Sequence, residues 1–122
     1  MLKFQFTFAL TATVLLAGCA TATKQTDAAM VAYDKDTEFA VAMKSDGFSV
    51  AVNYSRYQFI PESGAVATAC KSALMSIAYE QADKQGRKIK QLNEQRIKIS
   101  MGRNGLSGIT SCAASAVAEW QG

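Results

Sequence analysis

Two cysteines, Cys70 and Cys112, constrain the fold of this chain most strongly, because each lies in a segment with a clear apolar pattern. The segment "AVATACKSALMSIAYEQADKQG" (65–86) has apolar residues at helical spacing. Gly86 is typical of the position just beyond a helix end. The pattern therefore predicts a helix with Cys70 on its apolar face. The apolar positions are Val66, Cys70, Leu74 and Ile77, with Ala73, Ala78 and Ala82 beside them.

The residues before the helix alternate as half-buried strands do. In "FSVAVNYSRYQFI" (48–60) the large apolar side chains keep one parity up to Tyr54 and change to the other from Tyr57. This change predicts either a bulge or the exit of the strand from the core. "EFAVAMK" (38–44) also alternates. Its alanines and methionine favour a helix as well, but we interpret it as a strand.

The residues after the helix predict a hairpin. "RIKISM" (96–101) alternates, and Asn104-Gly105 is the strongest short signal for a two-residue turn. That turn would set Ile99 opposite Thr110 and would place Cys112 on the core face. A wider loop is the alternative, and it could reverse the parity and expose Cys112. With the short turn, the core face of the last strand holds Cys112, Ala114, Ala116, Ala118 and Trp120.

The N-terminus has the features of a cleaved signal peptide. Lys3 precedes a short apolar run (6–16), which ends on "LAGC" (16–19). "LAGC" resembles the lipobox of bacterial lipoproteins at all four positions. The resemblance implies that Cys19 receives a diacylglyceryl group, that cleavage occurs before it, and that the new amine is acylated, with palmitate a typical fatty acid. An ordinary secretory signal is the alternative interpretation.

The lipobox resemblance predicts how the chain is divided and where it resides. It makes 1–18 the signal peptide, 19–36 a lipidated N-terminus with a flexible tether, and 37–122 a periplasmic domain. The residue after the lipidated cysteine is Ala20 rather than aspartate, which in lipoproteins resembling this one favours the outer membrane. The bilayer is therefore the first expected partner, through acylated Cys19.

The periplasm is an oxidising compartment, so Cys70 and Cys112 have one intramolecular pairing open to them. The two pattern arguments above place them on facing core surfaces, as a disulfide between a helix and a strand requires. Two buried free thiols, or a redox pair, are the alternatives. A redox pair normally shows Cys-x-x-Cys spacing, which this chain lacks.

These elements predict an α+β domain in which an antiparallel sheet of three to four strands packs on one helix, in (β)βαββ order. From residue 48 to 120 this order resembles dodecin-like small domains. It is also similar to the domain of the stress-sensor outer-membrane lipoproteins of the Rcs phosphorelay. The resemblance rests on the element order, the "NG" hairpin and the terminal "SCAASAVAEW".

The composition argues against catalysis. The 122 residues include no histidine, which removes the commonest general base and the commonest metal ligand. No Gly-x-Ser-x-Gly motif and no zinc or calcium ligand pattern occurs. We therefore predict no enzyme activity, no cofactor and no metal. A histidine-free hydrolase is the less favoured alternative.

Positive charge concentrates in the second half of the chain, where residues 65–122 carry eight Lys/Arg against four Asp/Glu. An anionic partner is one interpretation of this cluster, and a solvated sheet face is the other. Lys90, Arg96 and Lys98 share a parity, so an extended strand would direct them to one side. The full cluster is Arg87, Lys88, Lys90, Arg96, Lys98 and Arg103.

Taken together, the sequence predicts a lipoprotein anchored in the outer membrane and facing the periplasm. Its domain would be a non-catalytic module that binds an envelope protein or an anionic glycolipid, with nucleic acid excluded as a partner by the compartment. The alternative is a structural or assembly subunit that oligomerises through its sheet.

Overall fold

The computed structural model of the protein describes residues 22, 26 and 28–122. The predicted signal peptide and the predicted lipidation site, Cys19, lie outside the described residues. In chain order the elements are β1 (Val31–Ala32), β2 (Thr37–Met43), β3 (Gly47–Tyr57), α1 (Ser63–Lys84), a 3-10 turn (Glu94–Arg96), β4 (Lys98–Asn104) and β5 (Ile109–Glu119).

The described strands form one antiparallel sheet in the order β1-β2-β3-β5-β4, and α1 packs on one face. The predicted α+β class is confirmed, and so is the strand at 38–44. The predicted count of three to four strands was too low. The fifth strand, β1, has two residues, with Val31 opposite Phe39 and Ala32 opposite Glu38. Two residues are too few to show an alternating pattern, so the sequence could not reveal this strand.

The central strand, β3, leaves the core without a bulge. Its register with β5 is continuous from Gly47 opposite Glu119 to Tyr57 opposite Ile109. Its last three residues are exposed. Of the two alternatives that the parity change suggested, the exit from the core is therefore the correct one.

Helix α1 ends as the sequence predicted. Gly86 adopts a φ of 65°, the left-handed region that glycine enters without steric cost. The Arg87 amide then donates to the Ala82 carbonyl at 3.2 Å, and the Gly86 amide donates to the Asp83 carbonyl at 3.0 Å. These two bonds form a Schellman motif, which satisfies carbonyls that the helix end would leave without partners.

The hairpin between β4 and β5 differs from the predicted one. Ile99 lies opposite Ala114 instead of Thr110, because the loop has four residues (105–108) rather than two. A type I′ turn would need positive φ at Asn104 and Gly105, and neither has it. The Asn104 side chain instead accepts hydrogen bonds from the amides of Leu106 and Ser107, which closes the wider loop.

The wider loop leaves the parity unchanged, because it shifts the register by four residues, an even number. The predicted core face of β5 is therefore retained, and Cys112 is 1% exposed. The disulfide between Cys70 and Cys112 is confirmed, with Cα atoms 6.2 Å apart. It joins the buried face of α1 to the centre of the sheet. Around it lie Phe48, Val50, Val52, Val66, Leu74, Ile77 and Ala114, all buried.

Candidate functional site

The sheet face opposite α1 is covered by small side chains over its lower half, the half that contains the β2–β3 turn. Cross-strand pairs set Ala40 opposite Ala51, and Ala51 opposite Ser115. Because these side chains are short, they form a shallow floor, which we call the open face. Its members are Ala40, Ala42, Ser49, Ala51, Ser115 and Val117.

The segment between α1 and β4 builds a wall beside this floor. Its beginning extends the sheet, since the Lys90 amide donates to the Glu119 carbonyl at 2.8 Å and the Gln121 amide donates to the Lys88 carbonyl at 2.9 Å. Pairing then stops until Lys98 meets Ser115 at the start of β4. Residues 91–97 consequently leave the line of the sheet and enclose the space next to β5.

The floor and the wall enclose a cavity of about 570 Å³, within the range of small-molecule sites. Three of the predicted cationic residues line it together, namely Lys90, Arg96 and Lys98. All three are exposed. Uncharged polar side chains lie among them: Gln91, Asn93, Ser49 and Ser115. The cavity therefore combines positive charge with neutral hydrogen-bonding groups.

One acidic residue offsets part of this charge. The Lys90 ammonium lies 3.2 Å from Glu119 Oε2, with both side chains more than half exposed. An exposed ion pair of this kind contributes little to stability, so Lys90 remains free to exchange partners. Arg96 and Lys98 carry the rest of the positive charge at the cavity.

The other three predicted cations lie elsewhere. Arg87 stacks over the Trp120 ring, with its guanidinium carbon 4.5 Å from the ring centroid. Lys88 is exposed in the segment that follows α1. Arg103 lies at the opposite end of the sheet and donates to Thr110 Oγ1 at 2.9 Å and to the Gln58 carbonyl at 3.2 Å. The predicted cluster of six is thus divided, and three members share one site.

A second cavity, of about 640 Å³, lies at the other end of the same face and is lined by the turn after β1. Asp34 in this turn accepts a hydrogen bond from the Asp36 amide at 2.9 Å, which lowers the pKa of the Asp34 carboxyl below its ordinary value. The neighbouring Tyr33 hydroxyl donates to Glu80 at 2.8 Å, which raises the pKa of Tyr33. These bonds tie the turn together and to α1.

Three described residues of the N-terminal segment lie near the two cavities. The Ala22 amide donates to Ser111 Oγ at 3.3 Å, near the second cavity. Thr26 and Ala28 line the first cavity. Ala22, Thr26 and Ala28 are therefore close to the side of the sheet that α1 does not cover.

Among the described residues, no three His, Cys, Asp or Glu side chains are grouped to hold a metal ion. Within the same residues, no helix combines the length and the apolar character needed to cross a bilayer. Comparison of the chain with models of known protein families, with curated proteins and with solved structures found no match. The case for function consequently rests on the site itself.

Sequence reasoning found the three cations but missed the groups that accompany them. Shared parity predicted that Lys90, Arg96 and Lys98 would point the same way along an extended strand. They do line one cavity, but Arg96 lies in a 3-10 turn, so strand parity is not the reason that they meet. The wall at 91–97 is irregular, so no periodicity marked Gln91 or Asn93. One signal was available: Asn93 caps the 3-10 turn, its side chain accepting from the Gln95 amide at 3.0 Å, and asparagine is typical of that position.

Proposed function

We propose that this protein is a periplasmic lipoprotein of the outer membrane, held by acyl chains on Cys19, whose domain binds a phosphate-bearing envelope glycolipid in the cavity lined by Lys90, Arg96 and Lys98. The domain acts by binding and has no catalytic activity. The single observation that carries the proposal is the presence of these three cations in one cavity.

The chemistry of the cavity supports an anionic ligand. A guanidinium presents several N–H donors in a planar fork that suits phosphate, and an ammonium adds a point charge. The amide and hydroxyl groups of Asn93, Gln91 and Ser115 suit the hydroxyls of a sugar. A phosphorylated sugar headgroup would therefore satisfy both the charged and the neutral groups.

The lack of histidine in the chain supports a binding role, because the commonest proton carrier of active sites is missing. The acidic residue at the cavity, Glu119, is already paired with Lys90.

We expect Arg96→Gln to weaken binding of a bis-phosphorylated glucosamine disaccharide about tenfold, which corresponds to roughly 1.4 kcal/mol for a lost charge-assisted contact. The measurement is a titration of the mature protein in detergent, followed by the NMR shifts of the Ser115 and Val117 backbone amides. Binding by the unchanged protein should also weaken as salt is raised.

Arg56→Gln is the matched control, because it removes the same charge from an exposed position near the far end of β3. It should leave the affinity unchanged. An equal loss in the two variants would indicate attraction to net charge rather than a site, and would contradict the proposal.

We expect Cys19→Ser to abolish anchoring, because the thiol that accepts the diacylglyceryl group is removed. Two or more acyl chains hold a protein stably at a bilayer. Without them the variant loses the free energy of inserting those chains into the membrane. The intact mass of the unchanged mature protein should show a polypeptide that begins at Cys19 and carries a lipid adduct, and the variant should show none. A mature protein that begins elsewhere without an adduct would contradict the anchor and leave the cavity test unaffected.

One observation favours the alternative, an assembly subunit. Strand β4 is an edge of the sheet, and Ile99 and Met101 on it are more than one-third exposed. Lys98, however, begins the same strand, and a charge on an edge opposes pairing with a second chain. Light scattering separates the two functions, since the assembly subunit requires an oligomer and the binding module is expected to be a monomer.

A further inference from the structure

The most exposed large apolar side chains among the described residues gather at one end of the domain. Leu106 is 92% exposed, Phe59 85% and Ile60 70%, and these are the three highest values. They come from two segments, the one that leaves β3 and the loop between β4 and β5. We call this group the apolar tip. Its members are Tyr57, Phe59, Ile60, Leu106 and Ile109.

The two segments of the tip are held together by hydrogen bonds. The Gln58 amide donates to the Gly108 carbonyl at 2.8 Å, and Arg103 donates to the Gln58 carbonyl at 3.2 Å. The Gln58 side chain bonds to the backbone of Glu62, which is the residue before α1. Tyr57 lies opposite Ile109 across the sheet. The tip is therefore built from ordered backbone, and its apolar side chains project from a fixed base.

The N-terminal segment approaches the domain at this same end. Ala22 bonds to Ser111, which lies two residues from Ile109, or about 7 Å along the strand. Ala22 is three positions after Cys19 in the chain, and three residue steps span at most about 11 Å. The acyl chains proposed for Cys19 would thus join the domain beside the apolar tip rather than at the far end.

We propose that the apolar tip inserts into the headgroup region of the bilayer that holds the acyl chains, which gives the domain a fixed orientation on the membrane. The proposal rests on the proposed anchor at Cys19. Tyr and Phe rings suit the interface between headgroups and hydrocarbon, and aliphatic side chains suit the region just below it. Of the charged side chains beside them, Arg56 can meet lipid phosphates, whereas Glu62 must stay at the water side.

This orientation has a consequence for the cavity of Lys90, Arg96 and Lys98. On β5 that cavity is lined from Ser115 to Glu119, which lie six to ten residues of strand, or about 20–33 Å, from Ile109. With the tip in the bilayer, the cavity opens into the periplasm, away from the membrane that anchors the protein. Its ligand would then be presented from solution or from a facing surface.

The test places a fluorescent reporter on the tip of the mature lipidated protein. Phe59→Trp substitutes an aromatic ring at an exposed position, and Met43→Trp is the matched control, 55% exposed at the opposite end of the sheet. Both are reconstituted in phosphatidylethanolamine–phosphatidylglycerol vesicles with and without dibrominated lipid, which quenches tryptophan on contact. Trp120 is buried and contributes the same background to each.

We expect the added emission of Phe59→Trp to fall about twofold in brominated vesicles, as suits a side chain 5–10 Å into the interface, and that of Met43→Trp to stay unchanged. Equal quenching of the two variants would overturn the proposal. The proposal would also be overturned if the Phe59→Trp emission were protected from quenching to an extent that depends on protein concentration. A second copy of the protein would then cover the tip.

Intact mass separates this result from the anchor. If the protein carries the lipid adduct but shows no selective quenching, the anchor at Cys19 is supported and insertion of the apolar tip is contradicted. A protein without the adduct loses the anchor, and selective quenching after its addition to vesicles would support the tip independently.

Discussion

Reduction of the Cys70–Cys112 disulfide is expected to lower the free energy of unfolding by about 4 kcal/mol, because the bond closes a loop of roughly 43 residues in the unfolded chain. The whole free energy of unfolding of a small domain is only about 5–15 kcal/mol, so the disulfide would contribute a large share of it. The measurement is urea unfolding of the mature protein with and without reductant, followed by the fluorescence of Trp120.

Reduction is a better comparison than substitution, because the bond is buried in the core. Cys70 and Cys112 are 0% and 1% exposed, and replacing either would also leave a cavity. A variant with both changed to alanine is still the right control, since reductant should not alter its stability. Alkylation followed by intact mass should find neither thiol reactive before reduction. Equal unfolding curves with and without reductant would contradict the prediction.

The second large effect is expected from Phe48→Ala, which should lower the free energy of unfolding by about 3–5 kcal/mol. Phe48 is 0% exposed at the start of β3, and its ring centroid lies 5.3 Å from that of Trp120. Alanine would leave a cavity in the core beside Trp120. Urea unfolding measures the loss.

Phe59→Ala removes the same side chain from a position 85% exposed, so it should change stability by no more than about 0.5 kcal/mol. The two phenylalanines stand eleven residues apart on opposite sides of the parity change in "FSVAVNYSRYQFI". A comparable loss in Phe59→Ala would mean that the tip supports the fold, and would argue against its role at the membrane.

The elements with long periodic patterns could be predicted well from the sequence. Helix α1 covers Ser63–Lys84 against the predicted 65–86, and its predicted apolar positions face the sheet. The strands β2 and β3 follow their alternating segments in the same way. An element that buries one face must repeat its apolar residues with the period of its backbone. A regular pattern over about twenty residues therefore identifies the element as a helix.

The hairpin shows where such patterns stop being sufficient. The "NG" pair predicted a two-residue turn, and Asn104 instead uses its side chain to cap a four-residue loop. The two loops are closed by different local hydrogen bonds, and their free energies differ by about 1 kcal/mol or less. A pattern of apolar residues contains no information about so small a difference. The β1 strand and the apolar tip were missed for a related reason: one has two residues, and the other joins segments about fifty residues apart in the chain.

The sequence by itself determined which face of each regular element is apolar, because side-chain period follows from backbone geometry alone. It predicted the pairing of Cys70 and Cys112, which held because the wider loop shifted the register by an even number of residues. Only the tertiary structure decided the strand register, the gathering of Lys90, Arg96 and Lys98 around one cavity, and the separation of Arg103 from them. Those outcomes depend on how far one strand slides along another and on where an irregular loop leaves the sheet, and both are set by contacts between residues distant in the chain.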